Sequence, residues 1–127
     1  MNKYEFTDET RKIGSVTLHR IRALRDFGDV KAGDLGGWVE SEANLSHDGD
    51  CWVRDEAVVF ENAVVSGNAV ISGYAAIFGS AVVRGYAQVR ESAQVSNHAV
   101  VRAFAIVGGT AWVRDYRKVR WTAVVTD

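Results

Sequence analysis

The 127-residue sequence contains no proline and only one cysteine. Without proline, nearly every residue can donate its backbone N–H to a ladder of hydrogen bonds, which suits a chain built from β-strands. A single cysteine cannot form an internal disulfide, and this usage is typical of a reducing compartment. The formal net charge is −1, so overall electrostatics select no class of partner.

The sequence also lacks a long apolar segment. No run approaches the roughly 20 apolar residues of a membrane-spanning helix. The N-terminal residues 1–6, Met-Asn-Lys-Tyr-Glu-Phe, lack the apolar core of a signal peptide. We therefore expect a cytoplasmic protein with no membrane partner.

What the sequence does contain is one six-residue phrase repeated without a break from Cys51 to Val125. A branched aliphatic recurs at every sixth position from Val53 to Val125, thirteen times in all. A small residue stands two positions before each aliphatic, and eleven of those thirteen residues are alanine. A fixed short period is typical of stacked repeats that bury their apolar sides against neighbouring repeats.

Each phrase predicts a short strand followed by a corner. The small residue and the aliphatic are two positions apart, so they point to the same side of a strand. The next three residues are polar or glycine, as in Ser66-Gly67-Asn68 and Arg84-Gly85-Tyr86, which is typical of a turn. A strict period of six leaves no 3.6-residue stripe, so a helical bundle is excluded. The sequence therefore predicts an all-β parallel β-helix in one domain.

The pattern resembles the hexapeptide-repeat family, in which a small residue follows an aliphatic by four positions. Val53 and Ala57, and then Val59 and Ala63, match that motif. The resemblance implies a left-handed parallel β-helix with three flat sides and about eighteen residues per coil. It is specific for the fold and not for the activity, because one scaffold supports many functions.

Residues 1–36 do not follow the period and are predicted to form an N-terminal cap that leads into a β-helix over residues 37–127. Residues 4–6 and 16–24 have the composition of two strands joined by a polar turn. Such a β-hairpin would cover the open edge of the first coil. Two extra residues within Ser46–Asp50 shift the repeat and predict a small loop.

Residues 20–46 resemble small β-helical proteins that are encoded by bacteriophages and prophages. The resemblance implies a phage-type origin and names no activity. At the other end, Arg117 replaces the small residue of the repeat. An isolated buried guanidinium is very costly, so we expect Arg117 to point outward, paired with Asp115, or the last coil to be distorted. A second copy or a target protein is predicted to cover this end.

The hexapeptide-repeat resemblance also implies an alternative activity, acetyl-CoA-dependent acyl transfer with a histidine as general base. His47, whose ring the adjacent Asp48 is expected to orient in the small loop, and His98, at a corner, are the two candidates for that base. The unbroken repeat leaves little chain to shape a pocket, so an enzyme is disfavoured and no cofactor is predicted. A γ-type carbonic anhydrase would need three histidines around zinc, and ice binding would need ranks of threonine; the sequence supplies neither.

The stacking of coils predicts columns of outward side chains about 4.8 Å apart. Ser66, Arg84, Arg102 and Arg120 form one such column, and three arginines without an acid repel one another. Anions are therefore expected beside them: flanking carboxylates, an acidic patch on a partner, or phosphates.

Aromatic residues lie beside this column in the predicted register. Tyr86 is predicted to stack with Phe104 at the same corner, and Phe60 with Phe78 on the next side, where Trp112 would approach Tyr116. Arginine, valine and aromatic side chains together are typical of an interface, although β-propensity and solubility explain the same residues without one. Nucleic acid is disfavoured because the chain is not basic overall. The predicted binding residues are Arg84, Arg102, Arg120, Tyr86, Phe104, Phe60, Phe78, Trp112, Tyr116 and Arg117.

The sequence thus predicts a non-catalytic binding module. With the phage-type resemblance, the predicted partner is a host protein or complex, such as an immunity complex that the module would inhibit. The alternatives are the acyltransferase and a self-associating structural protein. A homo-oligomer is predicted to form through the C-terminal end or a flat side.

Overall fold

The computed structural model describes residues 2–127. Three longer strands come first: β1 (Tyr4–Ile13), β2 (Val16–Ala23) and β3 (Leu35–Val39). One turn of 3-10 helix follows at Glu42–Asn44. Within residues 2–127 no helix is long and apolar enough to cross a membrane.

The repeat folds into two-residue strands separated by four-residue connections. These strands are β4 (Trp52–Val53), β5 (Val58–Val59), β6 (Val64–Val65), β7 (Val70–Ile71), β8 (Ala76–Ile77), β9 (Val82–Val83), β10 (Gln88–Val89), β11 (Gln94–Val95), β12 (Val100–Val101), β13 (Ile106–Val107), β14 (Trp112–Val113), β15 (Lys118–Val119) and β16 (Val124–Val125).

The strands form three sheets, one on each side of the β-helix. Face 1 has the strand order β1-β2-β3-β5-β8-β11-β14, face 2 has the order β15-β12-β9-β6, and face 3 has the order β16-β13-β10-β7-β4. Along the chain, successive short strands belong to face 1, face 2 and face 3 in turn. The predicted all-β parallel β-helix is therefore confirmed.

The register of the coils confirms the predicted repeat and its interruption. Val58 pairs in parallel with Ala76, eighteen residues later, and the other short strands keep that spacing. Leu45, before the small loop, instead pairs with Val65, twenty residues later. The two extra residues therefore lie between Leu45 and Cys51, as the shift in the repeat predicts.

The N-terminal hairpin is also confirmed, with a longer first strand than the composition predicts. β1 pairs antiparallel with β2, and β2 pairs antiparallel with β3. β3 in turn pairs in parallel with β5, so the hairpin continues face 1 beyond the first coil. The predicted boundary after residue 36 lies inside β3, and that division of the domain stays a prediction.

The core consists of the inward small residues and aliphatics of the repeat. From Cys51 to Val113 these side chains are almost completely shielded from solvent. Tyr4, Ile21 and Phe27 join the same cluster from the N-terminal side. Because alternate strand residues point inward, a column of alanine fits beside a column of valine or isoleucine in every coil.

Each corner is a tight turn whose second residue has left-handed backbone geometry. All twelve such positions from Asp55 to Trp121 have φ between +58° and +69°. The turns are closed by a backbone hydrogen bond, as from Ala87 N–H to the Arg84 carbonyl (3.4 Å). Glycine adopts this geometry without steric cost, and aspartate or asparagine with little. This requirement determines which side chains line the corners.

Candidate binding surface

The arginine column lies at the corner that joins face 2 to face 3. Arg84 and Arg102 each follow an inward valine, so their side chains point outward. The Arg84 N–H donates to the Val101 carbonyl, and the Arg102 N–H donates to the Val119 carbonyl, both at 2.9 Å. Adjacent coils therefore place the arginines on consecutive rungs, and the predicted register of this column is confirmed.

The column lines an open groove with a volume of about 380 Å³. The groove is lined by the side chains of Arg84, Arg102 and Arg120 and by the residue that follows each of them in the chain. Those residues are Gly85, Ala103 and Trp121, all in left-handed geometry. Because Gly85 has no side chain and Ala103 only a methyl group, room is left between the arginines, and the groove is lined by positive side chains.

These arginines have no carboxylate partner in the described chain, unlike several arginines of the cap and first coil. Within residues 2–127, no ion pair at or below 4.0 Å involves Arg84, Arg102 or Arg120. By contrast, Arg11 lies 2.6 Å from Glu56, and Arg54 lies 2.9 Å from Asp29. The hydrogen bond from Arg54 lowers the pKa of the Asp29 carboxyl. Among the described residues Arg114 and Arg117 also lack such a partner, so what sets the groove apart is that three unpaired arginines lie there on consecutive rungs.

Two predicted aromatic stacks are confirmed. Tyr86 and Phe104 lie at the same corner as the arginines, with ring centroids 5.2 Å apart and planes 6° apart. They are 57% and 61% exposed. Phe60 and Phe78 stack at 5.3 Å on the corner between face 1 and face 2.

The predicted approach of Trp112 to Tyr116 is replaced by two separate contacts. The Trp112 Nε1–H donates to Ser96 Oγ at 2.8 Å, and the guanidinium of Arg114 lies over its ring at 4.3 Å. Tyr116 instead stacks on His98 at 4.9 Å. His98 and Tyr116 are eighteen residues apart and take the same place on successive rungs, whereas Trp112 and its partner Ser96 are sixteen residues apart.

Arg117 is exposed, as one of the two predicted arrangements requires. Its N–H donates to the Arg114 carbonyl (3.2 Å), and its carbonyl accepts from Val100, so the turn and the ladder remain regular. The proposed pairing with Asp115 is wrong, since no ion pair joins the two side chains within residues 2–127. The guanidinium stays in solvent.

His47 has both ring nitrogens engaged. Nδ1 accepts from the backbone N–H of Lys3 at 3.1 Å, and Nε2 lies 2.9 Å from Glu42 Oε1. The ring also stacks on Tyr4 with centroids 4.1 Å apart. The carboxylate that orients the ring is therefore Glu42, and the predicted role of Asp48 is wrong. Because Nδ1 accepts the Lys3 N–H and the ring stacks on Tyr4, the imidazole joins the cap to the small loop.

His98 is exposed at its corner and stacks on Tyr116. Its backbone N–H donates to the Asp115 carbonyl at 2.8 Å, which is a rung of the ladder. Within residues 2–127 no side chain hydrogen-bonds to its ring. A general base normally needs a group that orients it, and His98 has only its ring partner.

Sequence reasoning missed a buried ionisable pair that joins the cap to the first coil. Lys3 is fully buried, and its Nζ donates to the Cys51 carbonyl at 2.7 Å and to Cys51 Sγ at 3.3 Å. Burial lowers the pKa of the Lys3 ammonium and raises the pKa of the Cys51 thiol. The lysine is outside the repeat, so no periodic signal could have placed it beside the cysteine.

Sequence reasoning also missed Trp121 as a wall of the groove. The repeat could have indicated it, because Trp121 is a large residue in a column whose earlier members, Gly85 and Ala103, are small and follow the groove arginines. Within residues 2–127 no group of three or more histidine, cysteine or acidic residues could hold a metal ion.

Comparison with known proteins gives one informative similarity. No protein-family model matches the chain. A stretch of 67 aligned positions is 36% identical to the protein named "Uncharacterized acetyltransferase YdcK" from Escherichia coli (strain K12). The match covers 46% of this chain and 21% of YdcK, so it spans about a fifth of that relative's length. The match and the stacked coils both fit the hexapeptide-repeat resemblance, whereas the phage-type origin stays a prediction.

Proposed function

We propose that this chain is a non-catalytic binding module whose arginine groove takes an acidic segment of a protein partner. The supporting observation is the set of Arg84, Arg102 and Arg120 on consecutive rungs without a carboxylate beside them. Three like charges at this spacing repel one another. A bound carboxylate removes that repulsion, and guanidinium groups hold carboxylates with two parallel hydrogen bonds.

An acidic peptide fits this groove better than a nucleic acid does. Three rungs extend over about 10 Å, which is the length of roughly three residues of extended peptide. A nucleic acid needs a longer run of positive surface. Residues 1–50 carry ten acidic against seven basic side chains, a net charge of −3 that disfavours a long polyanion.

The resemblance to phage-encoded β-helical proteins makes a bacterial host protein or complex the proposed source of that acidic segment. Inhibition of a host immunity complex is the specific form of this proposal. Self-association through the C-terminal coil or a flat side stays a prediction, and light scattering over a concentration series tests it.

The test measures binding of a fluorescein-labelled acidic peptide by anisotropy. We expect Arg102→Gln/Arg120→Gln to weaken binding by about tenfold or more, because two charge-assisted contacts are lost. The matched control is Arg90→Gln/Arg114→Gln, which removes the same charge at other corners and should change binding by about twofold or less. Equal weakening by both pairs would mean that the column has no special role.

Acetyl transfer is the second candidate, and the naming of YdcK as an acetyltransferase favours it. His47 is occupied by Lys3 and Glu42, so His98 is the better-placed base of the two. Under the binding proposal, acetyl-CoA gives no thermal stabilisation that depends on a histidine. Stabilisation by acetyl-CoA that disappears in His98→Ala and persists in Arg102→Gln would favour the enzyme over the binding module.

A further inference from the structure

Trp121 is an exposed aromatic residue held in left-handed backbone geometry at the end of the arginine groove. Its φ is +59°, and the side chain is 72% exposed. The positions one coil apart in the same column are Gly49, Gly67, Gly85 and Ala103. For a bulky residue, positive φ is a steric outlier, so local folding preferences oppose tryptophan here.

Three of the six other non-glycine residues at left-handed corners gain a compensating hydrogen bond to the next coil, whereas Ala103 is small enough to need little compensation. Asp55 and Glu61 each accept the N–H of the glycine one coil later, at 2.9 Å, and Glu91 accepts the Gly109 N–H at 2.8 Å. The Trp121 indole has neither a ring partner nor a hydrogen bond to another part of the described chain. It therefore contributes no contact that explains its place in the fold.

The position of Trp121 relates it to the arginines instead. It lines the groove together with Arg102 and Arg120. Residues held in unfavourable backbone geometry concentrate at binding sites, where the surrounding fold retains them. An exposed indole beside a guanidinium offers a flat apolar surface next to a carboxylate site. This combination recognises an aromatic ring that adjoins negative charge.

We propose that Trp121 determines the specificity of the groove by selecting acidic segments with an aromatic residue next to their carboxylates. This inference rests on the proposed function, since the arginines bind the carboxylates. In an extended segment, alternate side chains lie about 6.8 Å apart. The arginine rungs are about 4.8 Å apart, and their long flexible side chains can spread to meet two such carboxylates while a tyrosine or phenylalanine ring lies on the indole. Tryptophan and arginine together are the residues that most often dominate binding energy at interfaces.

The experiment compares two labelled peptides of equal charge, one with tyrosine after a run of glutamates and one with alanine there. We expect the native protein to bind the tyrosine peptide about tenfold more tightly, and Trp121→Gly to reduce that ratio to about twofold or less. Trp121→Phe keeps a ring at the position and should retain most of the preference. Asp115→Gly, which removes another left-handed non-glycine residue of the same coil, should leave the ratio at its native value.

A stability measurement separates recognition from folding. We expect Trp121→Gly to raise the melting temperature, because glycine adopts the left-handed geometry freely. A lower melting temperature would contradict the argument that the fold disfavours tryptophan there. An unchanged peptide ratio in Trp121→Gly, with binding lost in Arg102→Gln/Arg120→Gln, would overturn this inference and leave the proposed function intact.

Two outcomes remain for the same variants. Unchanged binding of both peptides in Arg102→Gln/Arg120→Gln would contradict the proposed function itself. A short oligonucleotide that displaces the tyrosine peptide at a tenfold lower concentration than unlabelled peptide does would also overturn the inference. The ring that lies on the Trp121 indole would then be a nucleobase and not a peptide side chain.

Discussion

The cap with its first coil and the later coils differ in how their charged side chains are paired. In the cap, Arg11 and Arg20 both contact Glu56, and Arg22 contacts Glu5. In the later coils, Arg84 and Arg102 lie one rung apart without a carboxylate. Ion pairs therefore join the strands of the cap to each other and to the first coil, whereas the arginines of the groove remain available to a partner.

The two regions also differ in how the sequence specifies the packing of their core residues. The later coils repeat the same alanine and aliphatic pair in nearly every strand, Arg117 being the exception, so each coil packs on its neighbours in the same way. The cap depends on particular contacts, such as the Tyr4 hydroxyl that donates to the Leu45 carbonyl at 2.6 Å. A substitution in the cap therefore removes a contact that no neighbouring repeat can replace.

The largest effect is expected at Tyr4, which is fully buried between His47 and Trp52. Tyr4→Ala should lower the free energy of unfolding by about 3–5 kcal/mol, as for other buried aromatic truncations. Tyr4→Phe keeps the ring and should cost about 1 kcal/mol for the lost hydrogen bond. Denaturant titration measures both. A similar loss in the two variants would mean that the hydroxyl, and not the packing, joins the cap to the coil.

A smaller, pH-dependent effect is expected from Cys51. Burial raises the pKa of its thiol above the ordinary value of 9.0. The folded state therefore keeps the proton over a range in which the unfolded chain loses it. This contribution to stability is fully present below pH 9.0 and is lost as pH rises through the folded pKa.

The matching measurement compares the native protein with Cys51→Ala, which restores the residue that most repeats have. We expect the native protein to lose stability relative to Cys51→Ala as the pH rises above 9.0. Burial lowers the pKa of Lys3, so its effect has the opposite sign, and stability rises with pH below its ordinary value of 10.5. Because Cys51 raises the pKa of Lys3 through its charge and its hydrogen bond, that contribution differs between the two proteins, and the same comparison in a Lys3→Met background isolates the thiol. A difference that stays constant with pH would contradict the burial of the thiol.

The smallest effect on stability is expected in the arginine column. Replacing Arg84, Arg102 and Arg120 by glutamine should leave the free energy of unfolding unchanged or raise it by a few tenths of a kcal/mol, since like-charge repulsion is removed. The gain should be larger at low salt, where screening is weaker. Thermal unfolding at two salt concentrations measures this. A clear loss of stability would show that the column supports the fold, which would weaken its proposed role in binding.

The neighbours across coils could be predicted from the sequence because the period is unbroken after Cys51. The Arg84–Arg102 register and the Tyr86–Phe104 stack both follow from a separation of eighteen residues. The contacts of His47 could not be predicted in the same way. Lys3 and Glu42 reach it from segments outside the repeat, and the sequence supplied only its neighbour Asp48 as a partner.

The repeat by itself determined the parallel coils, their spacing and the columns of outward side chains, because each six-residue phrase imposes the same alternation of inward and outward positions. Only the tertiary structure decided which charges are paired, since Arg11 and Arg20 of the hairpin reach Glu56, and Asp29 reaches Arg54, while no carboxylate of the described chain pairs with the groove arginines. It also revealed the left-handed geometry at Trp121, because backbone angles at a corner follow from closing the turn and not from the residue that occupies it.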